Sequence, residues 1–311
     1  MRMHADLVRL CGDIGLGAAW LFAWADEWFK FTWNTLPRHA AAHSERRALW
    51  HDPPTNEQWF GVLANDPNPV GRRVAHEAAS GIREVALDHD ASYLTVTLTL
   101  DGRPARVELG FAVLPGSGLR LPSGAGSGRD DVAVVFDVGA GSAEALVRGA
   151  VDPVLLDGLP PASVPPPGPD GWSLQRLTLN RPYPARGASA ARPAELMEIG
   201  KLLRGDWSGD GPDVDTRRTW RISDRAEGGT EITCRIPWSM LLLADPSSLT
   251  AYDPTGGTPT AVPIAGIEGT AVADGASIAF PIRWEGWNAA SYTERPKRGI
   301  DVLRQELRRH E

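Results

Sequence analysis

Asp26 and Glu27 stand side by side between Trp24 and Trp28, a grouping whose residue types suit chemistry on a sugar. A saccharide presents hydroxyls around its edge and polarised C–H groups on its faces, so a site for one needs carboxylates beside aromatic platforms. Cleaving a glycosidic bond asks for more: two carboxyl groups flanking the bond, about 5 to 9.5 Å apart. Neighbours on a strand point to opposite faces, so Asp26 and Glu27 cannot readily be that pair. They are expected to line a site, and the catalytic set is unassigned beyond these two candidates. In the competing reading the tryptophans are core and Asp26 caps the following turn.

A second aromatic and polar cluster, Trp284-Glu285-Gly286-Trp287-Asn288, follows late in the chain, and Trp207 sits in a glycine-containing acidic turn. The expected sugar-binding residues are therefore Trp24, Trp28, Trp207, Trp284, Glu285, Trp287 and Asn288. The aromatic faces would stack on pyranose C–H groups, with Glu285 or Asn288 orienting hydroxyls. Trp238 follows Pro237 in an apolar turn and is read as packing, together with Leu241 and Leu242. His39 and His43 share a helical face but have no third ligand in register, so no metal is expected. Asp206, Asp210, Asp213 and Asp215 make an oxygen-rich turn able to hold calcium, yet their spacing departs from the helix-loop-helix pattern and a solvated loop is preferred. Cys11 and Cys234 lack metal-type spacing and read as buried thiols. No cofactor is expected.

The elements that must position these groups fall into two kinds. Met3, Leu7, Leu10 and Cys11 recur at helical spacing up to Gly12, and Ile300, Leu303 and Leu307 suit one face of a terminal helix. A strand is expected over 17–24, ending at the carboxylates, then a polar loop over 32–56 and a helix over 71–79. From Ile82 the period becomes two. In Tyr93–Leu100 the residues Leu94, Val96, Leu98 and Leu100 face one way and Tyr93, Thr95, Thr97 and Thr99 the other, the pattern of a half-buried antiparallel strand. Asp101-Gly102 predicts a hairpin turn, with 105–113 returning as the partner strand. Further strands are expected at 132–138, 144–151, 173–179, 217–222, 230–236 and 276–284. Gly116–Gly128 is Gly/Ser-rich and Pro160–Pro169 is Pro-rich, so both read as irregular connections.

The chain has 311 residues, 42% of them hydrophobic, and a formal charge of −7, which supports a real core and excludes a basic surface for nucleic acid. No apolar run is long enough for a membrane span. No signal peptide is visible, so the default compartment is cytoplasmic, and extracellular if the start is truncated.

Two resemblances emerge from these motifs. Gly17-Ala-Ala-Trp-Leu-Phe-Ala-Trp-Ala-Asp-Glu-Trp-Phe-Lys30 and Thr55-Asn-Glu-Gln-Trp-Phe-Gly61 resemble the last strand and closing helix of the (β/α)8 barrel of family 2 glycosidases. Ile236-Pro237-Trp238-Ser239 and the apolar turn after it are similar to family 9 carbohydrate-binding-like domains. The resemblance implies a mainly β fold, an antiparallel jelly-roll β-sandwich over 80–311, preceded by a small α/β remnant of a TIM barrel over 1–79. It implies a carbohydrate-associated protein with a saccharide partner, and the missing barrel portion of a longer polypeptide as a further one. A complete barrel needs about 250 residues, and the strands carrying its acid and nucleophile would lie upstream of Met1. The isolated chain is therefore expected not to catalyse; if active, it would be a glycoside hydrolase. The alternative is a non-catalytic structural or protein-interaction β-sandwich.

Overall fold

In the computed structural model the period-two segment Tyr93–Leu100 is the central strand of a five-stranded antiparallel sheet. The structure describes all residues except 1, 18, 78–80, 117, 185, 188–189, 210–213 and 310–311, together with all but the side chain of residue 77. In spatial order that sheet runs Trp220–Asp224, Thr230–Pro237, Tyr93–Leu100, Ile82–His89 and Arg73–Glu77. A second antiparallel sheet runs Lys201–Leu202, Ser142–Arg148, Val132–Asp137, Arg106–Ala112, Ile267–Ala273 and Ala276–Ile282, with Trp172–Leu174 beside Ser142–Arg148. Strand accounts for 36% of the chain and helix for 18%, so the fold is mainly β. Leu94, Val96, Leu98 and Leu100 are buried as the alternation requires, and they share one hydrophobic cluster with Phe111, Val134, Phe136 and Phe280 of the second sheet. Thr95 and Thr97 lie half-buried on the opposite face.

Three expected elements are corrected. Arg106–Ala112 is not the hairpin partner of Tyr93–Leu100; the partners are Ile82–His89 and Thr230–Pro237. The Asp101 carboxylate accepts from the Gly81 amide and from Arg83, which ties the turn to the preceding strand. The chain then crosses to the other sheet, where Val107, Leu109 and Phe111 face the shared core. The expected helix over 71–79 is the edge strand Arg73–Glu77, because the free edge of Ile82–His89 offers ladder partners from Arg73↔Leu87 to Glu77↔Glu84; residues 78 and 79 lie outside the described residues. Residues on both sides of position 80 thus share one sheet.

Among the described residues of 17–24, the expected strand is also absent. Trp20, Phe22 and Trp24 are 91%, 62% and 73% exposed, and the backbone contacts are confined to the end of the segment, where Ala23, Trp24 and Asp26 bond to residues 60–63 around the isolated parallel bridge Ala25↔Leu63. A buried barrel strand needs hydrogen-bonded neighbours on both edges and a layer against its side chains. Here the adjacent strand, Leu63–Pro67, pairs antiparallel with Tyr292–Pro296. The helices Arg2–Asp13 and Ile300–Arg308 pack on each other, with Val8, Val62 and Leu303 buried between them. Both ends of the chain thus meet on one side.

Candidate functional site

The non-core face of the five-stranded sheet is the floor of an open groove of about 1890 Å³. Thr95, Thr97, Thr233, Glu231, Arg221 and Arg235 project from neighbouring strands onto it. One wall comes from the N-terminal segment through His51, Pro53, Pro54, Asn56 and Trp59; another from Met197, Ile199, Leu203, Trp207 and Val214–Arg218; and Pro296, Lys297 and Arg298 complete it. The groove therefore exists only because both ends of the chain fold against the sheet.

Across the floor, guanidinium and aromatic groups alternate. The Arg235 guanidinium lies 4.3 Å from the Tyr93 ring centroid and 4.9 Å from that of Trp207, and Arg221 lies 4.7 Å from Trp207. Arg235 is held from behind, donating from Nε to the Arg218 carbonyl at 3.0 Å and from Nη2 to the Thr216 carbonyl at 2.5 Å. Burial pulls the Arg235 pKa down, with Arg221 adding to the effect, while Tyr93 and Asp90 act against it. Beside it, Asp90 Oδ1 accepts the backbone amides of Ser92 (2.6 Å) and Tyr93 (2.8 Å). Burial nevertheless pushes the Asp90 carboxyl up to about 7, so near neutral pH it can serve as donor or acceptor. His51 is buried, contacts Ser92 Oγ through Nδ1 at 2.8 Å, and has no hydrogen-bond partner for Nε2 among the described residues; burial lowers its pKa to about 3, which keeps it neutral.

Of the residues expected from the sequence, the groove collects Asp26 and Trp207. Asp26 is buried and engaged: Lys297 Nζ donates to it at 2.6 Å and the Gly61 amide at 3.0 Å. Burial raises its pKa, with Lys297 acting against that. Gly61 cannot be replaced there, since a Cβ would fall 2.2 Å from the backbone of Ala25 and Asp26. Glu27 pairs with Lys30 at 2.8 Å and does not line the groove. Trp28 is buried between His51 and Tyr292, and Trp24 projects into solvent away from the groove. The cluster Trp284–Asn288 sits at a joint elsewhere. Trp284 packs on Trp238 and donates to the Pro246 carbonyl; Arg46 donates to the Trp287 carbonyl at 2.6 Å and to Asn288 Oδ1 at 2.9 Å. Glu285 is exposed beside it. Of the acidic turn, Asp206 and Asp215 pair with Arg221 and Arg217, whereas Asp210 and Asp213 lie outside the described residues. Cys234 is buried and Cys11 half-buried.

Sequence reasoning missed Trp59, Asp90, Tyr93, Arg221 and Arg235 as site residues. A signal existed for Tyr93: the alternation already set it, with Thr95 and Thr97, on the face away from the core. For the arginines only strand register supplies the meaning.

A second constellation has the composition of a nucleophilic site but not its geometry. Asp52 accepts from Ser239 Oγ at 2.5 Å and Thr55 Oγ1 at 2.8 Å and contacts His39 Nε2 at 2.9 Å. The carboxylate stands between serine and histidine, so the imidazole cannot take the serine proton. All four residues are buried, which makes this a structural seam.

No protein-family description, curated protein or solved structure matches this chain.

Proposed function

We propose that this chain is a carbohydrate-associated protein that binds a saccharide in the groove over the five-stranded sheet, without catalysing its hydrolysis. The two sheets are read here as a carbohydrate-binding-like β-sandwich of jelly-roll type, and the N-terminal segment as derived from a glycosidase barrel. The observation that carries the reading is the floor itself. Trp59 and Trp207 lie among hydroxyls and charged groups in an open cleft, the mixture a pyranose needs for stacking and hydroxyl recognition. The non-catalytic part of the reading is supported by the two carboxylates nearest the tryptophans: Asp26 is tied to Lys297, and Glu27 pairs with Lys30 outside the groove.

Titration of the full chain with neutral and acidic oligosaccharides, followed by calorimetry and tryptophan fluorescence, tests this reading. Saturable heat that is lost in Trp207→Ala and retained in Trp24→Ala is expected. Heat for no saccharide would sink it.

The exposed run Trp20, Phe22 and Trp24 supports the alternative of an interaction protein, since contiguous exposed aromatics mark contact surfaces. That reading expects Trp24→Ala to change association with a partner and to leave the groove untouched.

A further inference from the structure

The groove floor carries Arg221 and Arg235 close together, and the carboxylate on the same strand face, Glu231, pairs with Arg225. Arg221 faces Thr233 across the ladder, and Arg235 follows two residues later on the same strand face, so the two arginines are diagonal neighbours, about 5.5 to 8 Å apart at their origins. Both guanidiniums lie against Trp207, and the Arg221 charge adds to the burial that pulls the Arg235 pKa down. Arg221 makes one hydrogen bond among the described residues, to Asp206 at 3.4 Å. Among the described residues Arg235 has no carboxylate within ion-pair distance, and its Nη1 makes no hydrogen bond while Nε and Nη2 are both used. Holding two like charges side by side on half-desolvated ground is unfavourable unless an anion joins them. The aromatic rings on either side of Arg235 keep its planar fork oriented, which removes entropy that a flexible cation would lose on binding.

We infer that this pair is the subsite for a carboxylate carried on the sugar, so that the saccharide bound in the groove is a uronate. The inference rests on the carbohydrate reading above. A carboxylate suits the geometry because a planar, two-oxygen anion can accept from Arg235 Nη1 and from the Arg221 edge together. Trp59 lines the same groove and would meet a ring face, with Tyr93 buried beneath Arg235 as its support, and Asp90, half-protonated near neutrality, would meet a hydroxyl without repelling the ligand.

The experiment compares uronate oligosaccharides with the same oligosaccharides after carboxyl reduction, on the full chain, by calorimetry at two salt concentrations. The uronate is expected to bind about tenfold more tightly than its reduced form, the value of one good charge-assisted contact, and to weaken with salt. Arg221→Gln, on the exposed side of the pair, should erase that preference while keeping the fold by circular dichroism; Arg235→Gln should do the same, and Arg103→Gln, outside the groove, should change nothing. Equal binding of the uronate and its reduced form overturns the carboxylate subsite and leaves the carbohydrate reading intact. Tight binding of a sulfated oligosaccharide with none of the uronate also overturns it. Absence of binding to every saccharide removes the carbohydrate reading and the subsite with it.

Discussion

Asp52, in the seam under the N-terminal segment, and Asp130, under the glycine-rich connection, are equally buried at 1% exposure, and their surroundings treat them in opposite ways. Asp52 meets His39, Ser239 and Thr55, and those partners outweigh burial and hold its carboxyl below the usual range. Among the described residues Asp130 has no hydrogen-bond partner for either oxygen. Burial, aided by the neighbouring Asp131 charge, pushes its carboxyl up to about 6. Asp131, one residue on, is fully engaged by the Val113 and Leu114 amides and by Arg148. What separates the two regions is therefore donors, not depth. The seam brings polar side chains from two distant parts of the chain onto one carboxylate. Around Asp130, Gly110 and Gly126 bring backbone close without supplying a donor: a Cβ on Gly110 would lie 2.4 Å from Asp130 Oδ1.

The largest expected effect breaks the seam. Replacing Asp52 with alanine strands three buried donors at once, and breaking a buried charged pair costs about 3–5 kcal/mol. Urea unfolding at neutral pH should show that loss. Because the folded pKa is depressed, the contribution is present above the unfolded value of 3.8 and disappears as pH falls through the folded one. The variant should therefore approach the parent protein in acid. A loss below about 1 kcal/mol at pH 7 would mean that the seam is decorative.

Asp130 supplies the converse. A raised folded pKa means that the folded state holds the proton more tightly, so its contribution is complete below 3.8 and is lost as pH rises through about 6. With the folded value near 6 against 3.8, ionising the group at neutral pH costs up to about 3 kcal/mol of stability. Asp130→Asn keeps the shape and removes the charge. Its stability relative to the parent should rise by about that amount between pH 4 and pH 7. A difference that stays flat with pH would show that Asp130 has a partner in solution.

The halves of this comparison were unequally legible in the sequence. Tyr93–Leu100, Thr230–Pro237, Val132–Asp137 and the two terminal helices follow from periodicity, since each hides one face in a core or a helix pair. Ile267–Ala273 did not, because Gly269 and Thr270 interrupt its apolar pattern; the glycine is there because the Phe280 ring occupies the space a Cβ would need, 2.4 Å away. The apolar run before Asp26 has strand composition, but only its end, at Ala23 and Trp24, finds backbone partners, and those lie on one edge in residues 60–63; composition cannot report a missing neighbour. The same limit applied to the site. Trp207 and Asp26 were nameable from residue type, whereas Asp52 with Ser239, and Arg221 with Arg235, acquire meaning only when register or a long loop closure brings them together.

The smallest effect grades the seam rather than breaking it. Ser239 Oγ gives Asp52 one of its three side-chain contacts, and its removal in Ser239→Ala leaves His39 and Thr55 in place. A hydrogen bond to a charged group contributes about 2 kcal/mol, so urea unfolding at pH 7 should show a loss of that order. Fewer donors also mean a weaker hold on the ionised form, and the Asp52 pKa should move back toward its ordinary value. The acid-unfolding midpoint of Ser239→Ala should then lie at higher pH than that of the parent, while the neutral-pH behaviour of Asp130 is unaffected because the two sites share no partner. A stability loss with an unchanged acid midpoint would assign Ser239 to packing, and the low pKa of Asp52 would then rest on His39 and Thr55 alone.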